Sequence, residues 1–320
     1  MTYRPPRWLP GPHAQTIWPA VIAPRARVDY RRERWATPDG DFIDVDFTTG
    51  GDADPSRPLL VLFHGLEGSS GSHYATAAMA EAVRRGWRGA VAHFRGCGGE
   101  LNRAARAYHS GDSEEIDWVL RRFARDDARA SPLFAAGVSL GGNALLKWLG
   151  EQGTAARSVV HRAAAISAPV DLTAAGDALE RGFNMVYTKN FLGTMKRKAL
   201  AQLQMHPGLF DGKRVGAART LREFDDLVTA PLHGFRNVDD YWTRASSKPH
   251  LAGIAVPTLL LNARNDPFLP AAALPAAAEL SAAVTALFPA AGGHVGFPTG
   301  AFPGTPAWLP LAVLGFLSSQ

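Results

Sequence analysis

Short, predominantly apolar runs recur along most of the chain: Leu59 to Phe63, Ala90 to Phe94, Leu133 to Val138, Ala163 to Ser167 and Thr258 to Asn262. Runs of this length with no polar alternation belong to strands covered on both faces. The segments between them carry helical spacing at His73 to Arg85, Ser113 to Arg125 and Ala144 to Glu151. The second of these opens on Glu114 and Glu115, whose charge suits the positive end of a helix dipole. Buried strands alternating with helices predict an α/β fold, a mostly parallel central sheet with helices on both faces.

Two stretches break the alternation. Residues 26 to 47 alternate polar and apolar positions around Thr37-Pro38-Asp39-Gly40, which predicts an antiparallel hairpin, and the polar linker TTGGDADPSRP follows it. From about Thr173 to His250 the pattern is helical, as in FLGTMKRKALAQLQ and RTLREFDDLV, between two core strands. An insertion of that kind predicts a lid over one end of the sheet. The chain therefore divides into residues 1–172 (arm, hairpin and first part of the core), 173–250 (helical lid insertion) and 251–320 (remainder of the core). The first 24 residues contain Pro5, Pro6, Pro10, Pro12, Pro19 and Pro24, which predicts an extended arm held to the body by Trp8 and Trp18. The Ala/Pro-rich LPAAALPAAAEL predicts a helix after a proline turn.

Composition narrows the class. With 320 residues and 46% hydrophobic side chains the chain can bury a large core. No apolar run approaches the roughly 18 residues of a membrane span, and prolines stand where a signal peptide needs its apolar region; both point to a cytoplasmic protein. A single cysteine, Cys97, excludes an internal disulfide and a cysteine-rich zinc site. Cys97 lies in the glycine-rich FRGCGGE, where packing or lining a pocket is weighed against a nucleophile's role. The net charge of +5 is too small to argue for nucleic acid. That charge is segregated: residues 1 to 35 hold seven arginines against Asp29 and Glu33, and the insertion holds twelve basic against eight acidic residues. Within the insertion Lys189, Lys196, Arg197 and Lys198 flank Phe191, Leu192, Met195 and Leu200. This basic amphipathic pattern raises a transient contact with an anionic membrane surface beside the plainer reading of a solvated helix face.

The chemistry centres on Leu133 to Asn143, LFAAGVSLGGN. Its Gly137-Val138-Ser139-Leu140-Gly141 is a G-x-S-x-G sequence between a buried strand and a helix. On such a turn the serine is forced into a strained conformation and its neighbours two residues away must be small. Ser139 is thereby the candidate nucleophile, and it requires a base and a group to orient that base. Asp266, in NARNDPFLP after a core strand, and His294, in AAGGHVGF after the apolar VTALF, supply them in the chain order of α/β hydrolases. Asp171 and Asn265 are alternative orienting groups, and His64, His73, His109, His233 and His250 compete with His294. The oxyanion donors fall to the backbone N–H of Leu140 and, in the loop His64-Gly65-Leu66-Glu67-Gly68, to that of Leu66. No H-E-x-x-H, P-loop or dinucleotide fingerprint is present, so the sequence asks for neither metal nor cofactor.

With these residues placed, the sequence resembles the α/β-hydrolase superfamily, and within it the YheT-like branch of bacterial hydrolases and related animal abhydrolase-domain lipases. The resemblance spans nearly the whole chain through RWLPGPHAQTIWP, TPDGDF, HGLEGSSGSHY, FRGCGGE, YHSGD, GVSLGGN, TLREFDDLVTAPLHGF, NARNDPF and GGHVGF. It implies hydrolysis of short-chain carboxylic esters or acylglycerols without a cofactor, by a triad of Ser139, Asp266 and His294. Asn265 departs from the second acid expected before the aspartate. An acyltransferase working through the same acyl-enzyme, and a lipid-binding protein without catalysis, are the alternative functions.

Overall fold

The computed structural model describes residues 2–49, 54–126 and 131–319. One eight-stranded sheet runs through the core in the order β1-β2-β4-β3-β5-β6-β7-β8. Its strands are β1 (Tyr30–Ala36), β2 (Phe42–Thr48), β3 (Leu59–Phe63), β4 (Arg88–Ala92), β5 (Leu133–Val138), β6 (Arg162–Ile166), β7 (Thr258–Leu261) and β8 (Val284–Leu287). The hairpin β1–β2 is antiparallel and joins β4 antiparallel, and every other pairing is parallel.

The alternation of side chains along a strand builds the two layers. In β3, Leu59, Val61 and Phe63 belong to one hydrophobic core with α3 (Ser113–Asp126) and α4 (Leu140–Gln152). Leu60 and Leu62 belong to the other, with α2 (His73–Arg84) and α11 (Trp308–Leu317). Strands walled on both sides have no polar positions to show, which is why they appear in the sequence as unbroken apolar runs. β4 begins two residues earlier than its apolar pattern suggests and ends at Ala92, where its pairing with both β2 and β3 stops.

Between β6 and β7 the chain builds helices with a hydrophobic core of their own: α5 (Leu172–Leu179), α6 (Met185–Met205), α7 (Gly212–Ala217), α8 (Leu221–Phe224), α9 (Ala230–Leu232) and α10 (Val238–Ala245). Among the described residues no helix is long and apolar enough to cross a membrane.

Two expectations are corrected. The proline-rich start is an arm only in part, because Pro12–Val21 form a helix, α1. Pro12 sits in its first turn, where the missing N–H costs nothing, and Pro19 lies close enough to its end to remove only the bond to the Gln15 carbonyl. That carbonyl packs on Gly296, where an added Cβ would lie 1.8 Å from it. The Ala/Pro-rich stretch after Phe268 forms no α-helix. It makes two single 3₁₀ turns, Ala271–Ala273 and Ala277–Glu279, because Pro275 removes a donor and holds Leu274 extended.

Candidate active site

Ser139 follows β5 directly and precedes the first residue of α4, with φ 52° and ψ −118°. A non-glycine residue there is strained, and the strain is held by tight packing on both sides of the turn. A Cβ on Gly137 would lie 2.4 Å from the Gly141 carbonyl oxygen, and one on Gly141 would lie 2.5 Å from the His64 carbonyl oxygen. The helix starts at Leu140, four residues before its periodic pattern, because Gly141 and Gly142 are first-turn helix residues, Gly141 pressed against the end of β3 and the loop after it. The Ser139 N–H donates to the Ile166 carbonyl of β6 (2.8 Å), which fixes the turn to the sheet.

The hydroxyl of Ser139 lies 3.0 Å from His294 Nε2, and His294 Nδ1 lies 2.9 and 3.1 Å from the two oxygens of Asp266. With a carboxylate at Nδ1, the ring carries its proton there and leaves Nε2 to accept from the serine. Asp266 is 5% exposed and also accepts from the Phe268 N–H (2.8 Å), so the carboxylate is held from two directions. The Phe268 ring stacks on the imidazole with centroids 4.0 Å apart and shields that face.

Of the alternatives, Asp171 caps α5 by accepting from the Ala174 N–H (3.0 Å). Asn265 accepts from the Gly293 N–H and donates to Gln15, both at 3.0 Å, a pair of roles that a carboxylate in its place could not fill. His64 is fully buried, with one ring nitrogen accepting from the Phe94 N–H and the other donating to the Gly65 carbonyl; burial pushes its pKa down to about 3. His73 donates to the Val295 carbonyl, and burial brings it to about 4. His109 and His233 lie against each other at 4.4 Å and are lowered by burial to about 4 and about 3. His250 lies on the 3₁₀ turn Lys248–Gly253 and is lowered by burial. Among the described residues only His294 hydrogen-bonds the Ser139 hydroxyl.

In the loop after β3, the Gly65 N–H donates to the Tyr74 hydroxyl and the Glu67 N–H to the Tyr108 hydroxyl, each at 2.9 Å. Between these two anchored donors the Leu66 N–H is left without a partner among the described residues, as is that of Leu140 at the start of α4. Leu66 and Leu140 line the same cavity as Ser139 and His294. The loop is tied to the helical insertion, since Glu67 pairs with Lys198 of α6 (2.9 Å). Cys97 lies half-buried beside that pair, its Sγ 3.4 Å from Lys198 Nζ, and burial pushes its thiol up to about 11, which keeps it protonated.

The cavity holds about 100 Å³ and its wall is largely apolar, built by Leu172, Leu179, Phe191, Met195, Trp242 and Phe268. A second apolar cavity of about 80 Å³ adjoins it across Leu66, Tyr108 and Met195. α6 therefore turns Phe191 and Met195 inward and buries Leu192, and two of its basic residues are engaged as well: Lys196 donates to the Gly216 carbonyl and Lys198 pairs with Glu67. Among the described residues no cluster of side chains could hold a metal ion.

The support of the His294 loop comes from α1, which the sequence pattern does not connect to the site. Thr16 Oγ1 accepts from the His294 N–H (2.9 Å), and Gln15 Oε1 accepts from the Gly292 N–H and the Asn265 side chain, both at 3.0 Å. From the other side Ser167 accepts from the Val295 N–H (3.1 Å). The one local signal was Pro12 at a helix start, which places Gln15 and Thr16 in its first turns facing inward. Gln15→Ala is expected to lower kcat ten- to a hundredfold with little change in KM, because a displacement of about 1 Å in the base costs about that much. Gln15→Glu keeps the acceptor but loses the amide that donates to the Leu9 carbonyl (3.1 Å) and buries a charge, so it should recover only part of the loss. Equal kcat for wild type and Gln15→Ala would make this contact purely structural.

A strained serine on a strand-to-helix turn, hydrogen-bonded to a histidine that is hydrogen-bonded to a buried acid, lies at the strand ends of a mostly parallel sheet, the arrangement of an α/β-hydrolase fold. The chain belongs to the family described as alpha/beta hydrolase fold, whose pattern matches residues 58–301. It is 38% identical over 317 residues to YheT of Escherichia coli (strain K12), a candidate esterase by its name, across 98% of this chain and 92% of that one. It is 32% identical over 309 residues to Phospholipase ABHD3 of Mus musculus, across 94% of this chain and 74% of that one. Among solved structures, the esterase Pf2001 of Pyrococcus furiosus superposes with a TM-score of 0.54 at 16% identity, covering 93% of this chain and 97% of that one, a likeness of fold.

Proposed function

We propose that the protein hydrolyses carboxylic esters, short- to medium-chain esters or acylglycerols, through an acyl-enzyme on Ser139. The observation that carries this reading is the continuous chain from the Ser139 hydroxyl through His294 to Asp266, beside the backbone N–H groups of Leu66 and Leu140, which are unpaired among the described residues. In the first half-reaction Ser139 Oγ bonds to the ester carbonyl carbon while its proton passes to His294 Nε2. The Leu66 and Leu140 N–H groups hold the oxygen as it becomes negative, and each such donor is worth roughly 2.7 to 4 kcal/mol. The tetrahedral carbon then expels the alcohol, which leaves with the proton from His294. Water repeats the sequence on the acyl-enzyme, and the acid departs. Asp266 keeps the imidazole in the one tautomer that allows both transfers.

The apolar walls support an acyl chain as the group beside the serine, and the adjoining cavity gives room for a second apolar arm of the substrate. The segment 173–250 is read as the lid that supplies much of that wall, with the Lys198–Glu67 pair tying it to the oxyanion loop. The test is treatment with a fluorophosphonate, followed by peptide mass spectrometry and by turnover of p-nitrophenyl esters of increasing chain length. A single adduct on Ser139 together with loss of turnover is expected. Labelling elsewhere, or ester turnover that survives full labelling of Ser139, would overturn the assignment.

A further inference from the structure

Most large apolar side chains that the fold leaves open to solvent gather around one helix. Among the described residues six are strongly exposed, and five of these lie on α1, just past its end, on the loop packed against it or beside its His13. Val21 is 72% exposed and Ile22 53%, and they stand three and four residues after Trp18, on its side of the helix. Phe302, 70% exposed, closes a cluster with Trp8 and Trp18, the three ring centroids 5.2 to 5.6 Å apart. On the flank of α1, Phe183 lies 4.5 Å from the ring of His13, with Val186 exposed beside it.

A surface helix ordinarily turns its polar side outward. α1 does the reverse: its buried residues are Gln15, Thr16 and Pro19, and it contains no Lys, Arg, Asp or Glu. The indole N–H groups of Trp8 and Trp18 are spent on the carbonyls of Gly300 and Pro303, which locks the rings against the loop. Amphipathic rings held at the surface in this way suit the boundary between water and hydrocarbon.

The two chain segments that form α1 and its aromatic cluster carry charge of one sign. Residues 2 to 28 carry Arg4, Arg7, Arg25 and Arg27 and no carboxylate, and residues 280 to 319 carry no Lys, Arg, Asp or Glu at all. All four arginines are exposed, and among the described residues none pairs with an acid. Arg25 donates instead to the carbonyl of Ala20 in the last turn of α1, which sets its charge at the edge of the apolar group. An apolar, aromatic face rimmed by unpaired arginines complements an apolar layer under a negatively charged surface.

We propose that α1, with Trp8, Trp18, Val21, Ile22 and Phe302, seats the protein on the surface of an anionic lipid bilayer. The same helix holds the His294 loop from its inner side through Gln15 and Thr16, so the docked face and the base share one element. The inference goes beyond ester hydrolysis and is read by binding alone, so its failure would leave that reading standing.

The experiment is co-sedimentation of the full chain with vesicles of phosphatidylcholine mixed with phosphatidylglycerol, and of phosphatidylcholine alone, at low and high salt. The expected result is binding to the mixed vesicles at low salt, weaker by about tenfold or more on the neutral ones, and declining as salt shortens the reach of the arginines. Val21→Ser/Ile22→Ser/Phe302→Ser and, separately, Arg7→Glu/Arg25→Glu should each weaken binding about tenfold or more while keeping the wild-type thermal midpoint; all five positions are at the surface. Absence of binding, equal binding by wild type and both variants, or loss of binding through Lys196→Glu/Arg197→Glu alone would overturn the proposal. Light scattering provides a further check: a dimer that Phe302→Ser dissolves would mean that the face joins two copies of this chain and not a bilayer.

Discussion

Ser139→Ala is expected to lower kcat for any ester substrate by about a millionfold, with the fold unchanged. The magnitude follows from the way a nucleophile and its base act as a unit: with either absent, the other has nothing to transfer, and what remains is the stabilisation of charge by the backbone donors. Alanine in place of serine keeps the backbone and Cβ and removes only the hydroxyl. The packing that holds the turn, the pressed glycines and the bond from residue 139 N–H to Ile166, does not involve that hydroxyl. Circular dichroism and the thermal midpoint should therefore match wild type, and fluorophosphonate labelling should vanish. Ester turnover by the alanine variant within a hundredfold of wild type would remove Ser139 from the proposed role.

What could be read from the sequence and what could not divides along the range of the interactions. The five buried strands were legible because a parallel strand covered on both faces has a local signature, the absence of polar positions. The proximity of Ser139, Asp266 and His294 was legible for a related reason: each follows a strand, and parallel strands deliver the residues after them to one edge of the sheet. The first turn of α4 was missed because Gly141 and Gly142 weaken helical periodicity, and only the carbonyls of Phe63 and His64 beside Gly141 and the Ala168 side chain beside Gly142, all distant in sequence, show why they are there. α1 was missed because prolines dominate its surroundings. Its role beneath His294 depends on contacts between Thr16 and His294 across 278 residues, which no local pattern carries. The exposed apolar side of α1 had no signature either, since Trp18, Val21 and Ile22 look like core positions until Gln15 and Thr16 are seen to take the inner face.

Asp266→Asn is expected to lower kcat by about 10⁴ while leaving KM within a fewfold of wild type. The amide has nearly the shape of the carboxylate, so the pocket and the acceptor for the Phe268 N–H are kept. What changes is the proton on the imidazole. The carboxylate can only accept, which forces the His294 proton onto Nδ1 and opens Nε2 toward Ser139. The Asn amide can present its NH₂ to Nδ1, and the ring then carries its proton on Nε2, where it faces the serine hydroxyl and cannot take its proton. Substrate binding does not use that proton, so KM holds while the chemical step fails. Phe268 stacked on the ring and Thr16 and Asn265 on the backbone before it should hold the histidine in place, so the defect is one of tautomer and not of position. Measuring kcat and KM separately for Asp266→Asn and Asn265→Ala distinguishes the two carboxamide positions. A loss of about 10⁴ confined to Asp266→Asn supports its orienting role, and the same loss in Asn265→Ala with none in Asp266→Asn would transfer that role to Asn265.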